Sequence, residues 1–143
     1  MHVAAVLKRK GTDIVTVRPD EPIAAVARTL AERRIGAALV VDGGAPAGIL
    51  SERDIVRGVA KHGSAVLQQP ASALMTRDLV TCQPTDTVAQ VMAVMSERRI
   101  RHLPVMDGER LAGVISIGDV VKARLDDAEL EVESLRGYVA GIG

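Results

Sequence analysis

The chain has no phenylalanine and no tryptophan, and its single tyrosine is Tyr138. The interior must therefore be built from Val, Ala, Ile, Leu and Met. Any planar ligand has to lie between aliphatic walls, and the stacking platforms that hold single-stranded nucleic acid are missing. Charge of one sign is also lacking. Eighteen basic and eighteen acidic side chains leave a formal net charge of zero, with no long basic run. Counterion release, which drives nucleic-acid binding, has little to act on, so nucleic acid is not an expected partner. Cys82 is the only cysteine, which rules out an intrachain disulfide. It lies in an apolar stretch beside Val80 and reads as a buried packing thiol. No apolar run approaches membrane length, and Met1 leads into no export signal. The expectation is a soluble, cytoplasmic protein with no membrane partner. Three scattered histidines offer no metal site. Neither a nucleophile–base–acid set nor a phosphate-binding glycine loop suggests an enzyme.

What is present is a repeat. Val15-Thr16 returns as Val80-Thr81, Pro19 as Pro84, and Glu32-Arg33-Arg34-Ile35 as Glu97-Arg98-Arg99-Ile100. Asp42-Gly43 returns as Asp107-Gly108, Gly48 as Gly113, and Ser51…Asp54 as Ser116…Asp119, all at one offset of 65 residues. Gap-free spacing of this kind marks a duplicated folding unit. A repeat of about 60 residues buries only a marginal core by itself, so two similar halves sharing a core around a pseudo-two-fold axis are expected. Function then belongs in the cleft between them.

Each copy reads β-α-β-β-α, giving an α/β (α+β) fold with a C-terminal helical extension. The division expected is 1–62 for the first repeat with its N-terminal segment, 63–77 for a connector, 78–125 for the second repeat and 126–143 for the tail. Val3–Lys10 suggests a short helix stopped by Gly11, and Asp13–Val17 a first strand. Asp20-Glu21-Pro22 is expected to open a helix, with Asp20 as N-cap and Pro22 in the first turn. Ile23, Val26, Ala27 and Leu30 share one face of it. Thr85 and Asp86 open the matching helix, with Val88, Val91, Met92 and Met95 on its apolar face. The arginines at both helix ends suit the negative end of the dipole. Asp42-Gly43 and Asp107-Gly108, set between apolar runs, predict hairpins. Pro70-Ala71-Ser72 suggests a short helical turn in the connector. In the tail, Val121, Leu125, Ala128, Val132, Leu135 and Val139 alternate steps of four and three, a heptad-like seam. The tail either packs on its own domain or pairs with a second chain, and Gly137, Gly141 and Gly143 are expected to fray its end.

The sharpest motif is Ser-x-x-Asp, as Ser51…Asp54 and Ser116…Asp119, each between a short apolar strand and a helix. Two readings stand side by side. Ser-x-x-acid at a helix start is a capping box, complete in itself. An aspartate at a strand–helix junction also suits the hydroxyls of a ribose, while the serine and the free N–H groups of the helix terminus suit a phosphate. His102 is read either as a half-exposed polar residue or as a ligand group. His2 and His62 are expected on the surface.

The duplicated unit, with Arg98–Gly108, Leu111–Ser116 and the paired Ser-x-x-Asp, closely resembles a tandem CBS-domain pair, or Bateman module, from about Lys10 to about Leu125. With no catalytic domain attached, it resembles a stand-alone pair. The resemblance implies a non-enzymatic regulatory module, homodimeric, with no required cofactor. It would bind AMP, ADP, ATP or NAD as a signal and pass that signal to an enzyme or transporter. The stronger site would place ribose on Asp119 and phosphate on Ser116, Arg101 and His102, with adenine near Lys10, Val15 and Ile35. The weaker site would use Asp54 and Ser51, with Met75, Val80 and Ile100. It is weaker because Gly36 and Ala37 stand where the other site has Arg101 and His102. The rival reading is a ligand-free interaction and dimerisation module in which both motifs only cap helices.

Overall fold

Aliphatic side chains at helical spacing alternate with short β-branched runs, and these form the elements in chain order. They are α1 (Val3–Lys10), β1 (Thr16–Val17), α2 (Ile23–Arg33), β2 (Ala37–Asp42), β3 (Ala45–Ser51), α3 (Glu52–His62), two 3-10 turns (Ser64–Gln68 and Ala71–Ala73), α4 (Val88–Arg98), β4 (His102–Asp107), β5 (Arg110–Ser116) and α5 (Ile117–Ile142). The computed structural model describes residues 1–11 and 14–142, the side chains of 138–142 excepted. Asp13, where the first strand was expected to begin, the seam side chain of Val139, and Gly143 lie outside the described residues.

The chain forms two compact units, Asp13–Val80, and Met1–Thr12 together with Thr81–Gly143. In the first, β1 runs parallel to β2, and β2 pairs antiparallel with β3. Ile23, Val26 and Leu30 of α2 are buried with Val40, Leu50 and Ile55 in an aliphatic core. In the second, β4 pairs antiparallel with β5. Val88, Val91 and Met95 of α4 are buried there, as are Leu103, Val105, Ile115 and Val120. Both hairpins turn at the expected Asp-Gly pairs, and both carry an irregularity at the matching step, Val40/Val41 and Val105/Met106.

The compact division differs from the sequence division at the N-terminus. Met1–Thr12 joins the second repeat because Val3 and Val6 are buried and the backbone is tied to that repeat. Val3 N donates to Asp86 O at 2.9 Å and Val88 N to Met1 O at 2.9 Å. The residues expected as a connector pack with the first repeat, and residues 126–142 continue α5 without a break. Gly137 and Gly141, expected to fray, lie within that helix.

Helix starts also differ from expectation. Asp20 does not cap α2. It bonds Arg18 Nε at 3.2 Å, and the cap position is Pro22, in extended conformation. The cause is tertiary, because Ile23 N donates to Gln69 O and Ala71 N to Glu21 O, which holds this stretch extended. The matching helix is capped by Thr87, reciprocally with Gln90, rather than by Thr85 or Asp86. In the second repeat the expected first strand reduces to one parallel bridge, Cys82 to Val105. Cys82 is buried as expected, and burial, followed by the nearby Asp86 charge, pushes its thiol up to about 12, so it is inert at neutral pH.

Both Glu-Arg-Arg ends finish in a left-handed residue. Arg34 and Arg99 each have φ 54°, a conformation that costs an L-residue roughly 1–2 kcal/mol and that glycine adopts freely. Arg99→Gly is therefore expected to raise stability by about 0.5–1 kcal/mol, after the extra entropy glycine loses on folding is subtracted. Urea denaturation measures it, and a loss of stability would show that the arginine side chain contributes more than the backbone costs.

Candidate functional site

β5 ends at Ser116 and α5 begins at Ile117, so the second Ser-x-x-Asp spans a strand–helix junction. Asp119 N donates to Ser116 Oγ at 3.2 Å, and Ser116 N donates back to Asp119 Oδ2 at 2.9 Å. The capping reading is thus realised. A third group converges there from another element. Lys10, the last residue of α1, donates from Nζ to Asp119 Oδ2 at 2.7 Å and to Val114 O at 2.9 Å. Burial by itself raises the Asp119 carboxyl. The Lys10 hydrogen bond, the Ser116 N–H, the Lys10 charge and the Ser116 hydroxyl together outweigh that and hold it below its ordinary value. Asp119 is therefore a carboxylate at neutral pH. Its described hydrogen bonds end on Oδ2.

The neighbouring candidates fall into place through the β4–β5 ladder. His102, half-buried, pairs with Ser116 in register. Arg101 is exposed, and its carbonyl accepts from Ile117 N at 2.8 Å. Met1, Val6, Arg9, Lys10, Asp119, Lys122, Ala123 and Asp126 line a cavity of about 100 Å³. That is room for a few waters or a small anion, well under the roughly 300 Å³ where ligand pockets begin.

In the other unit the first Ser-x-x-Asp is a complete capping box. Asp54 Oδ2 accepts from Ser51 N and Ser51 Oγ, both at 2.9 Å, and Asp54 N donates to Ser51 Oγ at 3.1 Å. Ala37 pairs with Ser51 in register, and Gly36 O accepts from Glu52 N at 2.9 Å, so the two junctions share one backbone plan. They differ in charge, for among the described residues no cation bridges Asp54. At the offset of 65 residues, Lys10 corresponds to Met75, which is buried in that unit's core.

The remaining candidates are distributed as follows. Val15 and Ile35 pack partly buried against the core of the first unit. Val80 belongs to that unit as well, and Ile100 to the second. Lys10, expected beside a base, sits on the carboxylate expected to take ribose. Arg9 and Lys122 escaped the sequence reading. Among the described residues no group of three or more His, Cys, Asp or Glu side chains comes together as a metal site. No helix there is long and apolar enough to cross a membrane.

Comparison with known proteins identifies the fold. The chain is 50% identical to the crystal structure of the CBS-domain containing protein ATU1752 from Agrobacterium tumefaciens, with a TM-score of 0.84 over 87% of this chain and 99% of that one. It is 30% identical to the CBS domain-containing protein CBSX3, mitochondrial, of Arabidopsis thaliana, covering 97% of this chain and 72% of the relative. The CBS domain pair of protein MJ0100 shares the fold, with a TM-score of 0.77 at 24% identity over 90% of this chain and 98% of that one. The CBS domain profile matches twice, over residues 4–61 and 71–126, and the chain belongs to the CBS domain family as a tandem pair.

Proposed function

We propose that the chain is a non-enzymatic, homodimeric regulatory module that binds an adenosine-containing nucleotide at Asp119. The observation that carries the reading is the carboxylate itself. It is held ionised at a helix start by Lys10 and Ser116, and an ionised carboxylate there suits the hydroxyls of a ribose. The N-terminus of α5 and the Ser116 hydroxyl suit a phosphate, with Arg101 and His102 as side-chain donors at the entry to β4. The CBS pair of protein MJ0100 was crystallised in complex with 5′-methylthioadenosine and S-adenosyl-L-methionine. The fold therefore accommodates adenosine compounds, and the residues here must supply the selectivity. Such a module works by differential affinity, because ligand binding favours whichever conformation binds it better. The partner that responds is an enzyme or transporter, and with a single buried thiol the module suits the cytoplasm.

A second reading is favoured by the completeness of the capping box at Asp54, which needs no ligand to explain it. There the module binds a protein partner and no nucleotide. Calorimetry with AMP, ADP, ATP and NAD separates the two readings, and binding of at least one is expected. With AMP, the Asp119 site fills first and the Asp54 site binds weakly or not at all. Arg101→Ala is expected to reduce AMP affinity about tenfold, the value of one charge-assisted hydrogen bond, and to leave adenosine affinity nearly unchanged. Two equal sites, or equal losses for AMP and adenosine, would show that the phosphate is held by other groups. No heat with any of the four compounds would leave the interaction module standing.

A further inference from the structure

We infer that two copies of the chain pair through the exposed length of α5 as a parallel, in-register coiled coil. The inference rests on the homodimeric part of the reading above and is independent of nucleotide binding. Leu125 and Val132 take the a positions of a heptad, and Val121, Ala128 and Leu135 the d positions. All are exposed in the single chain, Val121 by 48%, Leu125 by 60%, Val132 by 46% and Leu135 by 65%. The helix turns a different face to its own unit. Val120 and Ala123 are buried, Asp126 Oδ2 lies 2.6 Å from Arg9 Nη1, and Asp127 Oδ2 lies 3.4 Å from the N-terminal ammonium of Met1. At 3.6 residues per turn the seam lies about 140° round the helix from that packed face. From Ala128 to Gly137 every residue is exposed. An unpartnered helical stretch this short is marginal in water, so covering the seam stabilises it.

Charge and the coverage of the seam together select the occupant and the direction. The flanking e positions are Lys122, Glu129 and Arg136, and the g positions are Arg124 and Glu131. In a parallel coil each g residue faces the e residue of the next heptad on the other strand. Arg124 then faces Glu129 of the partner subunit, and Glu131 faces Arg136 of the partner subunit, so each opposite-charge pair forms twice. A fully overlapped antiparallel coil sets e against e and g against g. Glu129 would then meet the partner's Glu129, Glu131 the partner's Glu131, and Lys122 the partner's Arg136. Those contacts are unfavourable. An antiparallel coil slid by one heptad would instead set Lys122 against the partner's Glu129 and Arg124 against the partner's Glu131, but it leaves Leu135 without a seam partner. Only the parallel register joins favourable flanks to the whole seam. The surface is thus complementary to itself in parallel. With fewer than three heptads, the coil fixes orientation more than it supplies affinity.

The test uses the full chain carrying Ala128→Cys, with oxidised glutathione as oxidant. In a parallel coil equivalent d positions face one another, so a disulfide-linked dimer is expected to accumulate. Wild-type protein, whose only thiol is buried, should not cross-link. Independently, Glu129→Arg is expected to weaken the dimer about fivefold at low salt, since two attractive pairs become repulsive. Combining it with Arg124→Glu should restore the affinity. Light scattering that finds wild type monomeric at micromolar concentration overturns the homodimer and the coil together. A dimer in which Ala128→Cys does not cross-link, or a double swap as weak as the single one, overturns the coil alone and leaves nucleotide binding untouched.

Discussion

Asp119→Asn is expected to lower nucleotide affinity by about ten- to a hundredfold while leaving the stability of the ligand-free protein nearly unchanged. The amide keeps an oxygen for the Ser116 N–H, so the capping geometry at the start of α5 survives. The charge is lost, and with it the strength of hydrogen bonds from a ribose diol, each worth roughly 1.5–3 kcal/mol when the acceptor is ionised. The Lys10 pair is lost as well, but both partners are partly exposed, and such pairs contribute about 1 kcal/mol at most. The direction with pH follows from the same contacts. The Asp119 carboxyl titrates below its ordinary 3.8 in the folded protein, so whatever stability it contributes is fully present above that value. It is lost only as pH falls through the lowered one. Calorimetry and thermal melts decide the matter. Lost stability with retained affinity would mean that Asp119 serves the helix alone.

Gly48→Val is expected to cost about 3 kcal/mol or more, enough to remove a large share of the stability of a domain this size. A Cβ at Gly48 would lie 2.8 Å from Met75 Sδ and 2.8 Å from Thr76 O. The sulfur can move, but the carbonyl is fixed. Thr76 and Ile49 exchange two backbone hydrogen bonds, at 2.8 and 3.0 Å, and yielding to the new side chain would break both. The repeat-mate Gly113 offers an internal control. Its Cβ would meet only the Leu7 side chain, 2.8 Å from Cδ2, and a leucine tip can rotate away. Gly113→Ala should therefore cost well under half as much. Urea denaturation of both variants measures the difference, and equal losses would show that the carbonyl contact is not the cause.

These two glycines show where the sequence is legible and where it stops. Their recurrence at one offset marks them as part of a repeated plan, as it does the hairpin turns and the apolar faces of α2 and α4. Such features are local, written in spacing and turn chemistry. What presses on each glycine is not local. Leu7 stands against one and Met75 with Thr76 against the other, because segments distant in sequence close over the two sheets. The same long-range pairing accompanies both shifted helix starts, since backbone groups of residues 21–23 and 86–88 bond to other segments; α2 is left with no side-chain cap, and α4 takes Thr87. At the site, Ser116 and Asp119 were legible as a motif. The Lys10 ammonium was not, because its position depends on how α1 lies on β5.

The unbroken run of α5 joins two ends of the molecule's behaviour. Its first turn holds Asp119, and exposed Arg136 lies about 25 Å further along it by the ordinary helical rise. A helix of this kind acts as a lever, so a tilt too small to notice at the carboxylate becomes a displacement of the far end. If a nucleotide occupies the Asp119 end and a second copy pairs along the other, as proposed, any coupling between the two events must be felt equally in both directions.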